Sequence, residues 1–589
     1  MTNEKAPDAP ADGPPRPFWQ GGEAFVLLDF EGVRRLWRNP VEWVEARAPD
    51  EVRPALERLR GREAAGFLAY EAGHSLEPKL DPLALPPGPS EPPLLWFGIF
   101  ETASSAIEPL PDPRGAWAGP PVPLVDRGAH EAAIEAAKAH ILDGDIYQAN
   151  LTFPAQVATA GHPLALYEAI RPRARAGWGG VVFTGAHWVL SFSPELFFTI
   201  EGRTVTARPM KGTAPADTDP GALRADPKQR AENLMIVDLM RNDLARVSRP
   251  GTVEVPKLFE VERYPTVLQM TSTIVSELAE GRDAVDLLQT IFPCGSVTGA
   301  PKIRAMEIIA ALEERSRGPY TGSIGRLASS GDAAFNVAIR TLVMRDGENG
   351  ARMGLGSGIV ADSEAGAEWR ECLAKGAFVA TARPFDLVET MRFDPHDGIF
   401  ELERHLARLK RSAQALGFAF DRHHARNELQ AATFFLKASR KLRLLLSRTG
   451  AICVEARPVP APSAGPAEVM LAALPVDPDD FRLRHKTSDR RFYDEAREAS
   501  RAFECVFVDP DGRITEGSFT SVFVERDGRL LTPPLSGPVL PGILRDKLIE
   551  EGEAEEAELG PEDLTGPFFI GNAVRGLIPA RLVRRPAET

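Results

Sequence analysis

The chain has 589 residues, 43% hydrophobic and 26% charged, with a formal net charge of −14. At about 100–200 residues per domain this length excludes a single core, and the acidic balance argues against a nucleic-acid partner. No run approaches the ~18 uninterrupted apolar residues of a membrane span, and Cys294, Cys372, Cys453 and Cys505 form no CxxC pair, which points to a reducing, cytoplasmic setting.

The N-terminal "MTNEKAPDAPADGPPRP" is acidic and rich in alanine and proline, with no apolar core. It predicts a disordered tail over residues 1–18 rather than a signal peptide. Residues 19–381 mix strand-like runs, such as "WVLSF" and "LFFTI", with amphipathic helices. In "ARPMKGTAP" (207–215) two prolines bracket Lys211, which is either a solvated loop lysine or a functional amine. "DPKQRAENLMIVDLMRNDLARV" predicts a helix capped by Asp226, with Pro227 in its first turn and Ala231, Leu234 and Met235 facing inward. Glu232 lies in its second turn. "PCGSVTGAPKIRAMEI" (293–308) predicts a helix beginning near Pro301, whose N–H groups suit an anion. Arg340 in "FNVAIRTL" offers a fork for a carboxylate.

"MGLGSGIVADS" lets the backbone approach a ligand closely and runs into the helix "EAGAEWRECLAKGAFVATA". Glu368 and Glu371, three apart, share a face of that helix. With Glu232 they are either solvated glutamates or an oxygen-only seat for Mg²⁺. A composition of strands and turns begins anew near residue 382, giving a second α/β domain over 382–589. Its turns are "DPHDG", "DPDGR" and "RDGR", and "LERHLARLKRSAQALGF" predicts a helix ending near Gly417. "RLRHKTSDRRFYDEA" (482–496) carries Lys486, in a solvated basic patch or as a functional lysine. "TEGSFTSVF" (515–523) opens with Glu516 near a strand start. "VLPGILRDKLIE" (539–550) feeds a helix N-terminus suited to phosphate.

The first-half segments "DGDIYQANLT", "SPELFF", "RPMKGTAP", "RAENLMIVDLMRNDLARV", "FPCGSVTGAPKIRAMEII", "GPYTGSIG", "FNVAIRTL" and "GSGIVADSEAGAEWRE" occur in order. They resemble the chorismate-utilising enzymes, in particular the aminodeoxychorismate synthase component I branch. The resemblance implies an α/β (α+β) sandwich of stacked antiparallel sheets with helices outside. It implies Mg²⁺ on Glu232, Glu368 and Glu371, and Glu195 as general acid. It places Tyr320 and Arg340 near the substrate's pyruvyl carboxylate and Lys375 at a further carboxylate. Gly322, Ser323, Gly356 and Gly358 become backbone contacts. Lys211 stands where anthranilate-forming relatives carry alanine, which implies covalent attack at C2 of chorismate and a 4-amino product. One departure is Gln269, where some relatives carry histidine. The chain lacks the nucleophile motif of a glutaminase, so a separate glutamine amidotransferase subunit is the implied ammonia source.

The second-half segments resemble the class IV pyridoxal-phosphate enzymes, with a two-subdomain α/β fold. By that resemblance Lys486 holds pyridoxal 5'-phosphate covalently and Glu516 pairs with the pyridine nitrogen. Arg408, with the backbone amides of Ile543 and Leu544, binds the phosphate. Many relatives have threonine where Leu544 stands, so one hydroxyl contact is missing. The fusion favours a lyase that takes 4-amino-4-deoxychorismate to 4-aminobenzoate and pyruvate, feeding folate. The rival readings are an amino-acid aminotransferase in the second half, anthranilate formation in the first, or one non-catalytic half. A homodimer through the second domain is left open.

Overall fold

The computed structural model describes residues 17–174, 176–215, 217–263, 267–313, 315–381, 384–461 and 465–583. Residues 1–16 of the expected tail, and the expected boundary at 382, lie outside these. Phe18, expected in the tail, instead packs edge-on against Phe25 with ring centroids 5.0 Å apart.

Two large antiparallel sheets organise the first half, one of nine strands and one of ten. The nine-stranded sheet includes Phe25–Phe30, Gln148–Val157, Trp178–Phe183, His187–Ser193 and Ala351–Ile359. The ten-stranded sheet includes Ala64–Leu68, Leu196–Glu201, Met210–Pro215, Val267–Glu277 and Ser323–Leu327. Strands such as "WGGVVF" and "HWVLSFS" are buried along their whole length. A continuous apolar run, rather than alternation, is what a strand covered on both faces requires. Val26, Leu28, Val182 and Val189 of one sheet meet Phe67, Trp96 and Ile324 of the other in one core cluster, so the sheets stack face to face.

The predicted helix spans Pro227–Ala245, and the Asp226 carboxylate caps it by accepting from the N–H groups of Lys228 and Gln229. Its inward face differs from the expected one. Asn233, Ile236, Val237, Met240 and Leu244 are buried; of the three residues expected inward, Met235 packs partly buried against the core, while Ala231 is exposed and Leu234 is 43% exposed. The cause is polar. The Asn233 carboxamide accepts from the Ser272 hydroxyl at 2.6 Å and donates to the Lys211 carbonyl at 3.2 Å. Those bonds set the helix's rotation and leave Glu232 half-buried on its flank.

The second half contains a four-stranded antiparallel sheet, including Leu387–Asp394 and Arg440–Leu446. It also contains an eight-stranded mixed sheet, in which Ala467–Ala473 runs parallel to Glu504–Val508 and Gly576–Leu582. The helix Leu402–Ala415 ends as expected before Gly417, whose φ is +65°.

The halves share a core. Trp117, on the short strand Trp117–Ala118 of the first half, sits among Leu387, Leu409, Phe418 and Phe481 of the second. The Arg448 guanidinium covers its ring at 4.7 Å. Among the described residues, no helix is long and apolar enough to cross a membrane. All four cysteines are unpaired.

Candidate active sites

Lys211 owes its position to a bulge. In the pairing of Met210–Pro215 with Val267–Glu277, Met210 faces Thr271 and Thr213 faces Gln269, so one extra residue is accommodated between them. Gly212, at φ +99°, takes the left-handed conformation this needs. The bulge re-aims Lys211 across to the other sheet, where its Nζ lies over Gly358. A Cβ at Gly358 would stand 2.8 Å from that Nζ and 2.5 Å from Gln148 Nε2, so a side chain there would displace the amine and the carboxamide from these positions. Burial lowers the Lys211 pKa. The Lys375 cation adds to this, against Glu232, Glu195 and Glu371. A buried amine of this kind is biased toward its neutral, nucleophilic form.

Glu195 precedes the strand Leu196–Glu201 in a turn held by Ser193. The Ser193 hydroxyl accepts the Glu195 N–H at 3.1 Å and donates to the Val337 carbonyl at 2.6 Å. Glu195 is 4% exposed and its Oε1 has no hydrogen-bond partner. Burial pushes its carboxyl up to about 7, against a hydrogen bond from Ser296 and the charge of Lys211. That value leaves a proton available near neutral pH, as a general acid requires.

The helix Ala365–Gly376 carries Glu368, Glu371 and Lys375. Lys375 Nζ pairs with Glu371 at 2.7 Å and donates to the Gly356 carbonyl at 3.1 Å. Burial works to raise the Glu371 carboxyl, but Lys375 and Lys211 hold it below the usual range. Glu232 is raised, chiefly by burial, although the cations of Lys211 and Lys228 oppose this.

The three expected metal carboxylates are not gathered into one cage. Among the described residues, no group of three His, Cys, Asp or Glu side chains is arranged to hold a metal. Glu368 instead accepts from the Ser363 hydroxyl at 2.8 Å. Like charges repel at close range, and here lysines provide the counter-charge. The donors are nonetheless hard oxygens, as Mg²⁺ prefers, and Mg²⁺ is commonly bound by only one or two carboxylates with substrate oxygens and waters. Glu232 and Glu371, which share the Lys211 neighbourhood, fit that pattern; Glu368 joins it only by leaving Ser363.

The remaining expected residues divide. Gly356 accepts from Lys375, as above, and Gly358 faces the Lys211 amine. The Tyr320 ring fills the space above Gly354, where a Cβ would approach it to 1.9 Å. Arg340, at φ +53°, holds its guanidinium 5.7 Å over the Phe378 ring. Gly322 donates its N–H to Pro319, and the Ser323 hydroxyl donates to the Asn336 carbonyl at 2.6 Å. Those bonds commit both residues to the fold.

The sequence reading passed over Gln148. Both polar ends of its carboxamide are buried without a partner, at a cost of about 1–3 kcal/mol each unless a ligand satisfies them. Its signal was present, since it stands inside "DGDIYQANLT", at the start of a strand whose first six residues are all buried.

The second site is a cavity of about 530 Å³ lined by Lys486, Glu516, Arg408, Ser521 and Leu544. The Lys486 carbonyl accepts from Val388 N–H at 2.8 Å, which ties the lysine to the four-stranded sheet. Burial, then the cations of Arg408 and Arg490, lower its amine to about 7. Glu516 accepts from Tyr493 Oη at 2.5 Å and from Leu540 N–H at 3.1 Å, and burial raises its pKa. Arg408 donates to both oxygens of Glu389, at 2.9 and 2.6 Å, and to the Pro541 carbonyl at 2.8 Å. Burial opposes ionisation of Glu389, yet Arg408 and His405 hold its carboxyl down to about 2.

These residues fit pyridoxal phosphate. A guanidinium has five N–H donors, so Arg408 retains some for an anion. Ile543 opens the helix Ile543–Glu550, and the N–H groups of Ile543 and Leu544 belong to its first turn, where no intrahelical acceptor exists. Gly542 and Ser521 line the cavity side by side, and a Cβ at Gly542 would meet Ser521 Oγ at 2.5 Å. The Leu544 side chain packs with Phe523 and Leu548, in keeping with a missing hydroxyl contact.

Residues 20–381 match the model of the chorismate binding enzymes, and the chain belongs to that family. Residues 386–583 match the amino-transferase class IV model. Anthranilate synthase component 1 of Streptomyces coelicolor is 44% identical over 254 residues, covering 42% of this chain and 49% of that protein. Aminodeoxychorismate synthase component 1 of Salmonella typhimurium is 42% identical over 245 residues, covering 40% and 54%. The chain thus spans about half the length of these curated relatives. The crystal structure of anthranilate synthase component I from Streptococcus pneumoniae superposes with a TM-score of 0.50 at 24% identity, over 64% of this chain and 95% of that one. That likeness concerns the fold.

Proposed function

We propose that the chain makes 4-aminobenzoate from chorismate in two steps, one in each half. Overall identity does not separate a 2-amino from a 4-amino product, because relatives named for each outcome match about equally well. The observation that carries the reading is the Lys211 amine, buried over Gly358 beside Glu195.

In the first step the neutral Lys211 Nζ adds at C2 of chorismate and gives up a proton, both ring double bonds shift by one position, and the 4-hydroxyl leaves with the proton of Glu195 as water. Ammonia then adds at C4 and gives up a proton, both double bonds return, and the bond to Lys211 breaks as its amine regains a proton, giving 4-amino-4-deoxychorismate. Glu232, Glu371 and Glu368 are the residues that would hold Mg²⁺, whose chemistry there is to neutralise the ring carboxylate and act as a Lewis acid. The ammonia comes from a separate glutamine amidotransferase subunit. In support, burial pushes the Cys294 thiol up to about 12 and those of Cys372 and Cys505 up to about 11, so none of these three is a ready glutaminase nucleophile, and the fourth, Cys453, lies within the strand Ile452–Pro458.

In the second step bound pyridoxal phosphate supplies an electron sink at the amino-bearing carbon. Lys486 would hold that cofactor through its amine and, with substrate bound, would take the C4 proton. Glu516 would pair with the pyridine nitrogen, and Arg408, Ile543 and Leu544 with the phosphate. Loss of the enolpyruvyl group as pyruvate leaves an aromatic ring.

The test of the first step is Lys211→Ala supplied with chorismate and ammonia. Loss of nearly all formation of the 4-amino product is expected, because the covalent step has no substitute nucleophile; an unchanged rate and product would sink the covalent role. The second step is tested by adding 4-amino-4-deoxychorismate to the full chain loaded with cofactor and measuring pyruvate; none formed means an aminotransferase or an inert half.

A further inference from the structure

The mouth of the Lys486 cavity is crowded with cations that the chemistry above does not use. Lys441 reaches it from the strand Arg440–Leu446, Arg490 and Arg497 from the stretch around the helix Arg491–Ser500, and Arg575 from the turn before Gly576–Leu582. Asp494 also lines the mouth and stands 3.6 Å from Arg497. Glu516 lies deeper and is already engaged by Tyr493 and Leu540. Four cations therefore share two acidic neighbours, Asp494, which Arg497 engages, and the deeper Glu516, on which Arg490 is the strongest-acting charge.

Their arrangement has an inner and an outer part. Arg490 is the inner cation, close enough to depress Lys486. One guanidinium nitrogen of Arg490, Nη2, donates to the Ser518 carbonyl at 3.2 Å, while Nη1 is buried with no partner. At the rim, Lys441 and Arg575 act on each other electrostatically, and Lys441 is depressed by burial and then by neighbouring arginines. Like charges held this way are unfavourable unless an anion joins them. Phe503 and Phe519 line the same cavity, edge to face with centroids 5.9 Å apart. Arg575 rests over Phe503 at 5.4 Å and Arg497 over Phe519 at 5.9 Å, so the guanidiniums are braced on the rings.

We infer that this mouth is a recognition site for a cyclic substrate bearing two carboxylates. One carboxylate meets Arg490 and the other meets Arg497, Arg575 and Lys441, with the ring lying along Phe503 and Phe519. An arginine fork binds a carboxylate through two parallel hydrogen bonds, and a monocarboxylate engages only one part. The inference rests on the reading of the second half as a lyase for 4-amino-4-deoxychorismate, and gives that half its selectivity over small amino acids.

The test uses the full chain loaded with pyridoxal phosphate and three probes: benzene-1,3-dicarboxylate, benzoate and glutarate. Calorimetric titration should rank benzene-1,3-dicarboxylate at least tenfold tighter than either of the others. Arg497→Met and Arg575→Met, which keep an apolar stem, should each abolish most of that margin. Their absorbance band from the lysine-bound cofactor should be unchanged, which excludes misfolding. Lys441→Met serves if either arginine variant fails to take up cofactor. Equal binding of benzoate, tighter binding of glutarate, or variants without effect would overturn the inference. Dicarboxylate preference without pyruvate release would remove the lyase reading alone; pyruvate release without preference would remove this inference alone.

Discussion

Replacing Glu195 by glutamine should make the protein more stable and its first site inactive. The fold raises this carboxyl from 4.5 to about 7, mainly by burial. Each pKa unit corresponds to about 1.4 kcal/mol, so ionisation costs about 3 kcal/mol more in the fold than in water. Between pH 4.5 and about 7 the folded chain keeps a proton that the unfolded chain has released, so stability falls as pH rises through that window. Below 4.5 both states are protonated and the cost is absent; above 7 it is fully present. Glu195→Gln removes the ionisation, so its urea midpoint should match the parent's at pH 4.5 and exceed it at pH 8, by the equivalent of up to about 3 kcal/mol. The gain is trimmed because Lys211 loses a counter-charge. Glutamine cannot deliver a proton, so formation of the 4-amino product should fall by about 10²–10⁴. A lower midpoint than the parent at pH 8, or retained amination, would refute the assignment of Glu195 as a buried acid.

Lys375→Met should raise the Lys211 pKa, since Lys375 is the charged neighbour that lowers it most. The rising limb of the pH–kcat profile, at constant free ammonia, should then move to higher pH. Lys486 is neutral only above about 7, so the rate of covalent cofactor attachment should climb through pH 7 and level off; a midpoint near 10 would contradict its burial. Glu389→Gln leaves Arg408 and His405 facing each other without a counter-ion, and should cost about 3–5 kcal/mol in urea unfolding and loosen the cofactor. The parent's own share of that stability is present above about pH 4.5 and is lost as pH falls toward 2.

The residues that carry the proposed chemistry were legible because each sits in a short local motif. Lys211, Glu195, Lys486 and Glu516 could be picked out with no knowledge of what lies opposite them. What lay opposite was the part that stayed hidden. The bulge at Gly212 depends on register with a strand nearly 60 residues away, and the fit of the amine over Gly358 on another sheet altogether. The rotation of the Pro227 helix followed a buried Asn233–Ser272 bond rather than the apolar periodicity. Glu368 showed the reverse limit: spacing put it beside Glu371, but a serine five residues back claimed its carboxylate. Of the cations at the second cavity only Arg490 lies in the basic stretch around Lys486, while Arg497, Arg575 and Lys441 stand in no motif at all, because convergence of separate segments on one mouth leaves no local periodicity.

Trp117 has a further consequence. It belongs to the first half by chain order and to the second half by packing, buried with Leu387, Leu409 and Phe418. The fusion is therefore not two enzymes on a string. A second half separated from the first would carry an indole-sized hole in its core, and a first half alone would display a bare tryptophan. A substitution around Leu409 that suits the second activity must also suit a residue of the first. The two halves have ceased to be free to evolve apart, whatever happens to the segment that links them.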